Sequence, residues 1–110
     1  MIQDVHSKKE SLSVTTTTSG DNIIVPAVAD AWIYIHELIG DLDTADTLKV
    51  KCGTRIVGTF DLSAGQGFTE SDEPGEDNRP RFECRPGENF ILNITGSAIF
   101  KGSVHYSLRY

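Results

Sequence analysis

Residues 31–39 read AWIYIHELI, and this run of alternating large side chains limits the fold more than any other feature of the chain. Successive side chains on a strand face opposite sides. Trp32, Tyr34, His36 and Leu38 therefore fall on one side, and Ile33, Ile35, Glu37 and Ile39 on the other. Both sets are largely apolar, which predicts a long strand covered on both faces by layers built from the rest of the chain. The surrounding stretch, residues 21–42, also holds the only tryptophan.

The flanking sequence supplies strands and turns for those layers. Residues 11–19, SLSVTTTTS, are β-branched and uncharged, with Leu12 and Val14 on one face, and suit an edge strand before a turn at Gly20-Asp21. Residues 22–28 make a short strand that Pro26 confines to an edge or a bulge. Residues 47–52 point Leu48, Val50 and Cys52 inward against Lys49 and Lys51. A Gly53-Thr54 turn leads into residues 55–62, where Ile56, Gly58 and Phe60 oppose Val57, Thr59 and Asp61. Beyond a long loop, residues 63–80, come a short strand at 81–85 and a Pro86-Gly87 turn. Residues 89–95 follow with Phe90, Leu92 and Ile94 on one face, and a last strand fills 98–110. No window carries apolar residues at helical spacing over three turns. About eight strands without crossover helices predict an all-β fold, an antiparallel β-sandwich of eight-stranded jelly-roll type. Residues 1–10 are expected to be a polar arm and residues 11–110 a single domain.

The 110 residues suffice for one core but not for two. A net charge of −6 repels a phosphate backbone, and the basic residues are scattered, so nucleic acid is not an expected partner. No apolar run reaches the length of a signal peptide or a membrane span, which places the chain in a cytoplasm or in what lysis releases. Cys52 and Cys84 lack CxxC spacing and are expected to be buried reduced thiols, with a bridge between adjacent strands as the alternative.

Chemistry-bearing residues do not converge in the sequence. His6, His36 and His105 lie on three segments, none in a metal-site pattern, and no nucleophile elbow accompanies the serines. The expectation is no catalytic residue, no metal, no cofactor and no enzymatic activity, with His36 a satisfied, half-buried side chain and His105 a solvated one. Residues 70–78 carry five of the sixteen acids. Calcium would want such carboxylates, but their spacing is not that of a calcium loop. A solvated tip or a contact with a basic partner are the other readings. An eighteen-residue loop suggests a role, and Phe68, Glu70, Asp72, Glu73 and Arg79 are its candidate partner-contact residues. The uncharged edge at residues 11–19 points to assembly with other chains.

Three stretches, SGDNIIVPAVADAWIYIHEL, TLKVKCGTRIVGTFDLSAGQGF and RPGENFILNITGSAIFKGSVHYSL, together resemble a small β-sandwich module of tailed-phage virions. The likeness runs over residues 19–110 through the Asn22–Val28 entry, the Gly53-Thr54 turn, the loop at 62–67 and the Pro86-Gly87-Glu88 turn with its strand. The two cysteines and the acidic stretch depart from that pattern. The resemblance implies a non-enzymatic virion part: a capsid decoration (cement) protein or a head or tail appendage, homotrimeric and bound to the major capsid protein or another virion protein. It would be made in the host cytoplasm and carried in the virion. Arm residues Ile2, Val5 and His6 would then order on a neighbour or on the shell. The rival expectation is a carbohydrate- or receptor-binding sandwich of a phage fibre. Its exposed aromatics are hard to find in sequence, Phe68 being the one loop candidate.

Overall fold

The computed structural model describes residues 9–72 and 79–110. Nine strands occur among them and no helix: β1 (Lys9–Thr15), β2 (Gly20–Val25), β3 (Trp32–Leu42), β4 (Asp46–Cys52), β5 (Arg55–Leu62), β6 (Phe68–Ser71), β7 (Phe82–Cys84), β8 (Phe90–Ile94) and β9 (Phe100–Arg109). They form two packed antiparallel sheets. Sheet A runs β1-β9-β3-β6, with β7 also on β3, and sheet B runs β2-β8-β4-β5. The pairing is nested: β1 with β9, β2 with β8, β3 with β6 and β7, β4 with β5. The chain is thus one long hairpin whose successive pairs alternate between the two sheets.

β3 is the longest strand and the axis of sheet A. One side pairs with β9 along its whole length; the other pairs with β7 at Ile33–Ile35 and with β6 at Glu37–Gly40. The even alternation expected of it is broken by a bulge. Ile35 faces Tyr106 and Glu37 faces His105, leaving His36 as the extra residue. The inward set becomes Ile33, Ile35, Leu38 and Leu42, all fully buried. The other face is not covered as the apolar pattern suggested: Trp32 is 38% and Ile39 37% exposed.

The core lies between the sheets, built on Phe90, Phe100, Leu38, Leu42, Leu48, Leu92, Ile94, Val50 and Val104. Each such side chain contributes about 1.5–3 kcal/mol by leaving water. Phe68 stands edge-on between Phe60, at 4.9 Å, and Phe100, at 6.4 Å. Gly40 and Gly102 face each other across β3 and β9. A Cβ on Gly102 would overlap the Ile39 carbonyl oxygen, and the Phe100 ring lies where a Gly40 Cβ would stand, so both backbones can approach only as glycine.

The Gly53-Thr54 hairpin forms as expected, with Gly53 at φ +60°. A bulge at Val57 then shifts the phase of β5 and turns Ile56, 56% exposed, away from the face of Gly58 and Phe60 that the alternation gave it. Pro86 and Gly87 make a turn closed by the Glu88 N–H donating to the Arg85 carbonyl at 3.0 Å, with Gly87 at φ +86°. A proline followed by a residue of positive φ is the signature of a type II turn.

Three further expectations are corrected. Cys52 and Cys84 are not free thiols but a disulfide, and it joins not adjacent strands but the two sheets, β4 to β7. Their Cα atoms lie 5.0 Å apart, within the ordinary range for a bridge. The loop expected over residues 63–80 contains β6, and β1 begins at Lys9, inside the expected arm.

Candidate functional site

Polar side chains converge at the bulge of β3. There β6 ends and β7 begins, so the segment between them leaves and returns to one point on the sheet. The Asp72 N–H donates to the His36 carbonyl at 2.9 Å, and the Arg81 N–H to the Ile35 carbonyl at 2.8 Å. Side chains repeat the fastening. His36 Nδ1 lies 3.0 Å from Asp72 Oδ2, His36 Nε2 lies 2.8 Å from Ser107 Oγ, and the Arg81 N–H also donates to Asp72 Oδ1 at 3.2 Å. Arg81 Nε donates to Glu70 Oε1 at 2.6 Å while its guanidinium sits 4.5 Å above the Phe82 ring.

Asp72, His36 and Ser107 are thus in the order of an acid–histidine–serine relay, a constellation the scattered sequence positions did not suggest. Nucleophilic catalysis needs more than this order. Ser107 is fully buried, and its residue is paired to Lys9 on one side and Tyr34 on the other, which commits its backbone to the sheet. What the arrangement does chemically is satisfy a buried hydroxyl and fix the imidazole at the bulge. His36 is accordingly the satisfied, half-buried histidine expected of it. His105 is tied as well, its Nδ1 3.1 Å from Ser11 Oγ and its Nε2 3.7 Å from Glu37 Oε1.

The expected contact residues separate. Glu70 and Asp72 are brought together at the loop base, each engaged with Arg81. Arg79 lines an open cleft of about 600 Å³ with Val57, Pro80, Arg81, Phe82 and Glu83. Phe68 is corrected from loop contact to core: it opens β6 and is 6% exposed, because its ring completes the Phe60–Phe100 stack. Ile2, Val5, His6 and Glu73 lie outside the described residues. Among the described residues no group of three or more His, Cys, Asp or Glu is placed to hold a metal ion.

Two ionic fasteners hold the ends of sheet B. Glu88 accepts from Arg55 Nε at 2.9 Å and from Arg55 Nη2 at 2.7 Å, and from the Arg85 N–H at 2.8 Å. The hydrogen bonds from Arg55 hold its carboxyl well below the usual range, at about 2. Burial works against ionisation of Asp46, yet the N–H groups of Thr47, Ala98 and Gly96 win and lower its pKa. Asp46 thereby locks the connection from β8 to β9.

The outer face of sheet A is the surface that sequence reasoning missed. Trp32 and Tyr34 stand on it with ring centroids 6.4 Å apart and planes at 59°. The apolar count of β3 implied a covered strand. The readable signal was the row opposite: Lys101, Ser103, His105, Ser107 and Arg109 of β9 form a polar face that an interior strand would not carry. On the far side of sheet A, β1 pairs with β9 alone among the described residues, and its other edge takes no partner among them. Beside it the core meets solvent through an opening of about 220 Å³ lined by Leu12, Val14, Ile23 and Ile24.

Comparison with protein-family models, with curated proteins and with solved structures finds no match to this chain.

Proposed function

We propose that this chain is a non-enzymatic structural part of a tailed-phage virion, a capsid decoration protein that binds the assembled shell and stabilises it. The observation that carries this is the β1 edge. Beyond Lys9 and Glu10 at its start, the strand bears no charge from Ser11 to Thr15, whereas a strand edge that must stay unpaired is normally blocked along its length by lysine, proline or a bulge. A second chain can therefore add to it through backbone hydrogen bonds. The two packed antiparallel sheets form a rigid block, and this reading takes β6 and β7 as one interrupted strand and the nested pairs as the winding of an eight-stranded jelly roll.

Further support comes from the segments that carry the phage resemblance. Asn22 accepts from the Thr17 and Thr18 N–H groups and fixes the entry to β2, and Glu88 of the Pro-Gly-Glu turn clamps Arg55. The inter-sheet disulfide fits a protein made in a cytoplasm and then used outside it, since lysis would expose the thiols to oxidising conditions. In this reading the protein acts as a homotrimer on the major capsid protein, and many weak contacts add up over the lattice. The test is sedimentation of the purified protein with phage shells stripped of accessory proteins. Saturable binding that raises the disruption temperature of the shells is the expected result. Absence of binding to shells and to tails alike overturns it.

A further inference from the structure

We infer that the outer face of sheet A around Trp32 and Tyr34 is a binding platform for a neutral saccharide. The inference stands independently of any role on a virion.

Trp32 and Tyr34 are two residues apart on β3, ahead of the bulge, so both project from the same face. Trp32 is 38% exposed although it is the largest side chain in the protein, and Tyr34 is half-buried beside it. Their tilted rings form a shallow corner and not a flat table. An aromatic face carries partial negative charge, which attracts the positive C–H edges of a pyranose ring, while the sugar hydroxyls remain free for hydrogen bonds. Partners for those hydroxyls stand in register on either side. Arg109 is the cross-strand neighbour of Trp32, and Glu83 is that of Tyr34 on the other strand. Lys9 follows Ser107 in the same row.

The rest of the face argues for this class of ligand over others. The inner positions of sheet A are mostly apolar, Glu10 and Glu70 excepted, but its outer positions on β1, β9 and β6 are mostly serine, threonine and charged residues, with Ile39 on β3 the aliphatic exception. A protein–protein contact wants a desolvated apolar centre, which one isoleucine and two half-exposed rings do not supply. Charge decides between neutral and ionic sugars. Lys9, Lys101 and Arg109 are balanced by Glu37, Asp41 and Glu83 on this face, and the chain as a whole carries −6. An anionic polysaccharide gains nothing here. The corner is also held firm from its side, because Ser107, the cross-strand neighbour of Tyr34 on the same face, is pinned by His36, and little freedom is lost on binding.

Trp32 is the only tryptophan, so its emission reports on this site alone. The experiment titrates the protein with cellohexaose, mannohexaose and chitohexaose, with hyaluronan hexasaccharide as the anionic control. A saturable change in emission with at least one neutral hexaose is expected. Tyr34→Ala should weaken that binding about tenfold, the loss of one well-stacked ring. Glu83→Gln should weaken it several-fold, and Trp32→Ala, followed by calorimetry, should abolish it. All three variants should keep the parental melting temperature to within a few degrees, because the side chains lie on the surface. A flat titration with all three neutral probes overturns the inference, as does a response to hyaluronan alone. Binding that Tyr34→Ala leaves undiminished places the sugar elsewhere and equally overturns it. So does light scattering that shows a dimer dissociated by Trp32→Ala, which makes the face a contact between copies.

Discussion

The two flanks of the sandwich are closed by different means. On one flank β1 and β2 follow each other in the chain, and a turn held by Asn22 is enough to keep the sheets in register at that end. On the other flank the edge of sheet B is β5, and that of sheet A is shared by β6, which residues 63–67 join to β5, and by the short β7, which starts only at Phe82. No turn joins β7 to β5. There the disulfide Cys52–Cys84 ties sheet to sheet, and Arg55 reaches both the Glu88 carboxylate and, at 3.4 Å, the Glu83 carbonyl. The strand with least area to bury, three residues of β7, sits where the covalent link is made. The difference teaches that closure follows chain connectivity: contiguous strands rely on a local turn, remote ones on bonds and charge.

Four measurements break or sharpen that contrast. The largest effect belongs to the remote flank. Replacing both cysteines by alanine should cost about 3–4 kcal/mol in urea unfolding, the figure for cross-linking residues 32 apart. Reductant should bring the parent protein to the same midpoint, and an unchanged midpoint would break the comparison. Next, Glu88→Gln should cost about 1–2 kcal/mol at neutral pH, the range of a hydrogen bond to a charged group in a half-exposed setting. The Glu88 pKa is depressed from 4.5 to about 2, so the folded state favours its carboxylate. The contribution is complete above pH 4.5 and fades as pH falls toward 2, and unfolding curves of parent and variant should converge over that window. On the contiguous flank, Asn22→Ala should cost about 1 kcal/mol, since water can replace part of what an exposed amide supplies. A larger loss than that of Glu88→Gln would reverse the ranking of the flanks. Smallest of all, Leu12→Lys should change stability by about 0.5 kcal/mol or less, because the side chain is already partly in solvent. The same substitution should abolish any self-association through β1, read as native mass by light scattering.

Much of this architecture was legible in the residues. Alternation located the inward faces of β4, β8 and β9, and the Gly53-Thr54 and Pro86-Gly87 turns were written in residues able to adopt positive φ or to begin a turn. Where the facing of side chains failed, it did so for one reason, that alternation has no memory of an inserted residue. A single bulge at His36 moved Leu38 to the core side, and another at Val57 put Ile56 in solvent. The first carries no proline or glycine to announce it, and the second is marked only by Gly58 just after it. β6 was lost inside a glycine-rich stretch because Phe68–Ser71 is too short for a period to show. The relay of Asp72, His36 and Ser107 joins positions 36 and 71 residues apart, which no local pattern records. The pairing of the cysteines likewise depended on β7 lying beside β3 against β4, a matter of topology and not of spacing.

The nesting of the strand pairs also sets an order in time. Lys9 pairs with Ser107, and every strand of sheet A except β6 and β7 waits for β9 as its neighbour. Such remote pairings are slow, because a long loop must close before any contact rewards it. During synthesis β4 and β5 can zip as soon as both have emerged, whereas β1 and β3 remain without a shared partner until β9 has followed them out. Premature capture by another chain of the edge of β1 that faces β9 is then a hazard of the nascent state, and prompt docking of β9 is what removes it.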